Sequence, residues 1–391
     1  MTRPSVRERV GRLVLAGTAF VLSLAASELV LRAVLLPVRA RGYYVWPPQR
    51  QMLLEPSPGL MPGISGESRF ITNADGLRGD ELGSEHTFRI LAIGGSTTEC
   101  TYLDQSEVWT TLLQETLSSR DRTRRRVWVG NAGVSETTAA HHVVALQRLP
   151  LRKLHVDVIV VLVGVNDLIR RLSHEGLSGD ATFAQPTEPD ALAADVFRGS
   201  YYVCREDPLY KRTALWQMVR QMKQRQSSEH VEDDRGAVYA TWREHRRLAS
   251  EMRSDLPNLS LALQEYARHL NEMVDLSKQL GIRLVLVTQP TMWRSNLPEE
   301  LQGLLWLGGI GDFQKDVGRP YYSVSALQKG MQSFNDVLLG VCKDRHVNCF
   351  DLDAVLEKDT SVFYDDAHFN ENGARKVADA LAGHLIDSGV F

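Results

Sequence analysis

The chain has 391 residues, 43% hydrophobic and 24% charged, with a formal net charge of -3. That length holds one large domain or two modest ones, and the slight acidic balance excludes a broad nucleic-acid surface, which needs a basic excess. Four cysteines, Cys100, Cys204, Cys342 and Cys349, are too few and scattered for a disulfide scaffold or a Cys-rich zinc centre. Cys342 and Cys349 can pair in an oxidising compartment, but buried free thiols are the expectation.

Arg3, Arg7, Arg9 and Arg12 precede an apolar stretch from Leu13 to Leu36, broken chiefly by Glu28 and Arg32. About twenty apolar residues cross a bilayer as a helix, so residues 1–42 are expected to form a membrane anchor. Glu28 and Arg32 lie four apart on one helix face, within reach of each other. The basic flank favours a cytoplasmic N-terminus, which puts the remainder outside the cytoplasm, in the periplasm or beyond. Ala25-Ala26-Ser27 leaves a cleaved signal peptide as the alternative. Residues 43–87, with Trp46-Pro47-Pro48 and Pro56-Ser57-Pro58-Gly59, read as a linker or surface-packed loop.

Regular structure is expected from residue 88 to 391. Arg89 to Ile93 is a short buried strand ending at Gly94-Gly95, and Ser106 is the expected cap of a helix carrying Trp109, Leu112, Leu113 and Leu117. Val127 to Val129 is a second strand, followed by a helix after Ser135. Val156 to Val163 is almost wholly apolar, as a central parallel strand covered on both faces must be. Leu263, Tyr266, Ala267, Leu270 and Val274 mark a helix stopped near Gly281; Ile282 to Val287 and Val347 to Leu352 are the last strands, with a closing helix after Asn372. This alternation predicts an α/β fold, a parallel sheet between two layers of helices. Residues 168–257 are too long for an ordinary crossover and are expected to be an insertion or cap.

Each sheet strand delivers polar or glycine residues to the same edge. Ser96 follows the first strand in Gly94-Gly95-Ser96-Thr97-Thr98, the second ends in Gly130-Asn131-Ala132-Gly133, and the third in Gly164-Val165-Asn166-Asp167. In open α/β sheets ligands gather outside these carboxyl ends. Near the end of the chain Asp365 stands three residues before His368, a spacing that lets a carboxylate orient an imidazole as base for a serine. No further ligands cluster there, so no metal and no cofactor are expected.

In this order the four segments resemble the motif blocks of the SGNH hydrolases, also called GDSL-type esterases and lipases. The resemblance spans residues 89–385 apart from the insertion. It implies a flavodoxin-like three-layer α/β/α sandwich around a mostly parallel five-stranded sheet. Ser96 is then the nucleophile, His368 the base and Asp365 its partner, with Ser96, Gly133 and Asn166 forming the oxyanion hole. The first block often reads Gly-Asp-Ser in this family, whereas Gly95 takes the middle place here. The segment Thr72-Asn73-Ala74-Asp75-Gly76-Leu77-Arg78-Gly79 also resembles a stretch of bacterial membrane-anchored members, and no catalytic role is assigned to it.

Competing motifs are absent: Thr98 breaks the Gly-x-Ser-x-Gly elbow, and no phosphate-binding Gly-x4-Gly-Lys-Ser/Thr loop occurs. Gly308 to Asp312 reads as a loop, at most a rim of the pocket. The cluster Arg120, Arg122, Arg124, Arg125 and Arg126 is expected as a solvated turn, and Lys211, Arg212, Arg220, Lys223 and Arg225 as a solvated helix face. The expected substrate is a small-molecule or carbohydrate acyl ester, such as an acetylated cell-envelope carbohydrate. The alternatives are an O-acyltransferase using the same site and a catalytically silent glycan-binding protein.

Overall fold

Five strands assemble side by side, the inner three covered on both faces and the edge strand Asn348–Phe350 half-buried. The computed structural model describes residues 6–34, 43–121, 125–175, 189–199, 210, 213–216, 218–219 and 235–391. In chain order the elements are α1 (Val6–Val34), β1 (Gln51–Leu54), β2 (Ser68–Ile71), β3 (Phe88–Gly94), α2 (Ser96–Glu99), α3 (Trp109–Arg120), β4 (Val127–Gly133), α4 (Ala139–Arg148) and α5 (Leu151–Leu154). There follow β5 (Val158–Leu162), α6 (Val165–Ser173), α7 (Pro189–Val196), α8 (Arg235–Arg247), β6 (Met252–Arg253), α9 (Ser260–Leu280), β7 (Arg283–Val287), α10 (Glu299–Gln302), β8 (Tyr321–Tyr322), α11 (Val324–Arg345), β9 (Asn348–Phe350) and α12 (Glu371–Asp387).

The main sheet runs β4-β3-β5-β7-β9, every pair parallel. By position in the sheet this is the flavodoxin-like order 2-1-3-4-5, whose direction reverses beside β3. Helices α3 and α12 pack together, and α9 packs on α4 and α11, giving the helical layers around the sheet. The central strand β5 is buried along its whole length. Gly281, at φ +70, ends α9 in the left-handed conformation that glycine adopts at no steric cost.

Several local expectations change. Ser106 does not cap α3; its hydroxyl donates to Asp104 at 2.7 Å, and Val108 occupies the cap position. The segment 43–87 is more than a linker: β1 and β2 pair antiparallel, and Val45, Leu54, Phe70, Leu77 and Arg78 are buried. Cys342 on α11 and Cys349 on β9 are joined in a disulfide with Cα atoms 6.1 Å apart, so the expected free thiols are not found there. The spacing suits such a bond. Cys100 is free and buried, and Cys204 lies outside the described residues.

Arg125 is not simply solvated; it pairs with Asp121 and lies 4.0 Å from the centre of the Phe391 ring. Arg122 and Arg124, like Lys211, Arg212, Arg220, Lys223 and Arg225, fall outside the described residues.

Among the described residues one helix, α1, is long and apolar enough to cross a membrane, over Val10–Ala33. Arg32 Nε donates to Glu28 Oε1 at 2.7 Å, the i,i+4 pair expected from the sequence. The same carboxylate accepts the backbone N–H groups of Ala214 at 2.8 Å and Leu215 at 3.1 Å. A short part of the insertion therefore docks against the apolar helix.

Candidate active site

Ser96 leaves the carboxyl end of β3 at the first residue of α2, and Asn166 leaves the end of the neighbouring β5 on α6. The two strands flank the reversal of strand order, where open α/β sheets leave a crevice. The turn is closely packed at its two glycines. A Cβ on Gly94 would stand 2.8 Å from the Leu162 carbonyl oxygen, and one on Gly95 would stand 2.6 Å from Asn166 Nδ2. Glycine at position 95 thus lets the Asn166 amide lie against the serine turn. Asn166 Nδ2 also donates to the Thr137 carbonyl at 2.8 Å, which fixes the plane of the amide. The next residue, Asp167, accepts the Ala139 N–H at the start of α4 at 3.1 Å. Burial pushes its carboxyl up to about 7, against the pull of that backbone N–H.

A buried scaffold holds the serine turn from behind. Arg78, in the segment left without a role above, donates through Nη1 to the carbonyls of Glu99 at 2.6 Å and Cys100 at 2.7 Å. Its Nη2 donates to Leu103 at 2.6 Å. Asn131 Nδ2 donates to the Thr98 carbonyl at 2.6 Å, and Trp109 Nε1 to the Thr97 carbonyl at 3.1 Å. Glu99 reaches forward, accepting the Ser135 hydroxyl and the Thr101 hydroxyl, each at 2.6 Å.

His368 arrives from the other end of the chain. Its loop closes when Tyr364 N donates to the His368 carbonyl at 3.0 Å, and Phe363 bridges Phe369. Asp365 Oδ1 accepts the backbone N–H groups of Ala367 and His368, while Oδ2 accepts Trp306 Nε1 at 2.8 Å. His368 Nδ1 lies 2.8 Å from Asp365 Oδ2, and Nε2 lies 2.7 Å from Ser96 Oγ. With Nδ1 protonated toward the carboxylate, Nε2 is left to accept the serine proton.

Asp366 turns away from the imidazole. Its carboxylate accepts Trp293 Nε1 at 2.7 Å, Trp306 N at 2.7 Å and Leu307 N at 3.1 Å. The duplicated acid is thereby divided, one carboxylate to the ring and one to the loop that carries Trp306. Burial and the neighbouring Asp365 push the Asp366 carboxyl up. Burial would raise Asp365 also, but the charge and hydrogen bonds of His368 hold it below the ordinary carboxylate range. Burial by itself would depress His368; Asp365, with Asp366 and Glu99 behind it, reverses that and raises the imidazole above its ordinary value.

Gly133 is not brought to this cleft as a donor. It is the last residue of β4, its N–H donates to Asn131 Oδ1 at 2.8 Å, and it lines neither lobe described below. Glu136, which the sequence did not single out, does line the cleft beside Asn166 and holds a left-handed φ of +70. Such a backbone is uncommon away from glycine, and a glutamate gives no sign of it in sequence.

The cleft opens on both sides of Ser96. One lobe, of about 360 Å³, contains Asn166, Glu136, Val165, Ile169, Leu307 and Phe313. Gly311 and Asp312, from the glycine-rich run, form part of its wall. The other, of about 340 Å³, lies toward Trp46, Arg50, Tyr102 and Arg198. Tyr239 and Trp242 of α8 face both lobes, as do Ser96, Ser135 and His368. Helix α8 belongs to the insertion, and it is clamped by donors to backbone carbonyls. Arg243 reaches Leu60, Leu304 and Tyr364, and Arg246 reaches Leu307 and Tyr322. Trp242 stacks on Trp306 with ring centres 4.4 Å apart. Among the described residues no group of three His, Cys, Asp or Glu is placed to hold a metal ion.

The GDSL-like Lipase/Acylhydrolase family model matches residues 92–376. No curated protein matches the chain. Among solved structures it is similar to Axe2, an acetylxylan esterase from Geobacillus stearothermophilus, at 13% identity and a TM-score of 0.41, covering 78% of this chain and 95% of that one. It is also similar to LAE5, an alpha/beta hydrolase enzyme from the metagenome of Lake Arreo, Spain, at 14% identity and a TM-score of 0.39, covering 78% and 97%. An aryl esterase of M. smegmatis gives 13% identity and a TM-score of 0.37 over 77% and 99%. The family match spans most of the chain and contains Ser96, Asn166 and His368: the chain belongs to the GDSL-like lipase/acylhydrolase family and is an ester hydrolase.

Proposed function

We propose that Ser96, His368 and Asp365 form the catalytic triad of this hydrolase. The observation that carries the reading is the continuous path from Ser96 Oγ to His368 Nε2 at 2.7 Å and from Nδ1 to Asp365 Oδ2 at 2.8 Å. Ser96 Oγ attacks the ester carbonyl while Nε2 takes its proton, and the imidazolium then returns that proton to the leaving alcohol oxygen. Water, activated by the same nitrogen, adds to the acyl carbon and frees Ser96. Asp365 holds the ring in the required tautomer and stabilises the imidazolium.

The oxyanion is held by the Ser96 N–H at the start of α2 and by the Asn166 amide. In place of Gly133, the Glu136 N–H is the third donor in this reading: it lies in the lobe of Asn166, and its backbone conformation is one that active sites retain at a cost. The acyl group lies on this side, among Val165, Ile169 and Phe313.

The catalytic unit in this reading begins near residue 43, because Arg78 and the β1–β2 pair are built into the serine scaffold. It is tethered by α1 and lies outside the cytoplasm. Support comes from the basic flank of the apolar helix and from the Cys342–Cys349 disulfide, since such bonds persist in oxidising compartments. The test of the triad is hydrolysis of short acyl esters by the full chain and its Ser96→Ala variant; full activity in a folded variant contradicts the assignment.

A further inference from the structure

The lobe toward Trp46 differs in chemistry from the lobe that holds Asn166. Its distinctive residues are Trp46, Tyr102, Arg50, Arg198 and Glu99. Glu99 accepts the Ser135 and Thr101 hydroxyls, so its carboxylate is held in the wall beside the two arginines. Arg198 lies 5.6 Å from the centre of the Trp46 ring and donates one Nη2 bond to the Ser135 carbonyl. Asp195, three residues before it, bonds His141 and does not line the lobe, though the Arg198 charge helps to hold its carboxyl below the ordinary range. Two guanidinium groups and one carboxylate border an aromatic recess one step from the nucleophile, an excess of positive charge.

The position of the recess defines what enters it. An ester bound with its carbonyl oxygen toward Asn166 sends its acyl group into the lobe containing Val165, Ile169 and Phe313. In this pose its alcohol half lies on the opposite side of Ser96, and His368, which faces both lobes, returns the proton to the leaving oxygen there. Flat aromatic faces suit the C–H face of a sugar ring. Arginine forks bind planar carboxylates through paired charge-assisted hydrogen bonds, which a neutral alcohol cannot use.

We infer that this lobe binds the alcohol half of the ester and that this alcohol is an acidic sugar, an O-acylated uronic acid. The inference rests on the ester-hydrolase reading of Ser96 and names its substrate class. The acyl–oxygen bond breaks, the His368 proton passes to the sugar oxygen, and water supplies the hydroxyl of the released acid. The uronate carboxylate takes no part in bond breaking; it holds the ring.

The test compares, with the full chain, kcat/KM for an acetylated methyl glucuronide, for its neutral methyl ester and for an acetylated glucose phosphate. The expected result is a preference of roughly tenfold for the glucuronide over its methyl ester, the size that a charge-assisted contact supplies. That ratio should fall toward one in Arg198→Ala and in Arg50→Ala, and return in part in Arg198→Lys. Because each ratio is taken within one preparation, a loss of folded protein does not change it. Equal rates in the unaltered protein, a ratio that survives both arginine changes, or faster cleavage of the phosphate would each overturn the inference. Nitrophenyl acetate reports the parent reading separately: if it is cleaved while acid and methyl ester react alike, only the sugar assignment falls.

Discussion

Asn131 Oδ1 accepts the Gly133 N–H at 2.8 Å while Asn131 Nδ2 holds the Thr98 carbonyl at 2.6 Å. One side chain thus fastens the end of β4 to the turn that carries Ser96, and it occupies the amide that a glycine there offers to a substrate. A Cβ on Gly133 would stand 2.2 Å from Glu99 N and 2.6 Å from the Thr98 carbonyl carbon, both backbone atoms. Gly133→Ala is therefore predicted to destabilise the fold by about 2 kcal/mol or more through overpacking, seen as a lowered urea midpoint.

Asn166→Ala should behave differently. It removes the proposed oxyanion donor, so kcat should fall about 10²–10³-fold with little change in KM and only a modest change in stability. Steady-state kinetics on a short acyl ester checks this. A drop in stability without a drop in kcat would place Asn166 among the structural residues.

The pH profile follows from the sign of the His368 shift. The imidazole must be neutral to accept the Ser96 proton, and its pKa is raised above the ordinary value near 6.5. Activity is thus lost as pH falls through this raised value, and the acid limb of kcat/KM should lie above that of an unperturbed histidine. Asp365→Asn removes the charge that raises it, so the limb should move to lower pH while the plateau drops on the order of 10⁴-fold.

Asp366→Asn separates the second acid from the first. Asp366 accepts three N–H donors and contacts no part of the imidazole in the hydrogen-bond network. An amide there presents donors to donors, with an expected cost of about 2–3 kcal/mol in stability. Thermal denaturation should show this loss, together with a rate decrease smaller than that of Asp365→Asn.

The layout of the sheet was legible because burial on both faces leaves a plain mark: β5 is Val158-Ile159-Val160-Val161-Leu162. Ser96 and Asn166 stand out in the sequence as residue types at strand ends, and His368 by its spacing from Asp365. The choice of Gly133 failed because sequence shows that an amide exists, not where its hydrogen points. Trp306 donates to Asp365 from 59 positions away and the segment before it carries no motif. Arg78 was equally hidden, since an arginine surrounded by carbonyls reads in sequence like any solvated charge.

That hidden arginine gives a further prediction. Arg78→Met would leave the Glu99, Cys100 and Leu103 carbonyls without their buried donor, at a cost of about 3 kcal/mol or more. The urea midpoint should fall, and the activity of the remaining folded fraction should fall too, because the serine turn loses its backing.

The triad itself is tested most directly by labelling the full chain with a fluorophosphonate and locating the adduct by mass spectrometry. The account predicts one covalent adduct, on Ser96, lost in Ser96→Ala and slowed by at least about 10³-fold in His368→Ala. A folded chain that takes no label, or that takes it on another residue, would contradict the assignment of Ser96 as nucleophile.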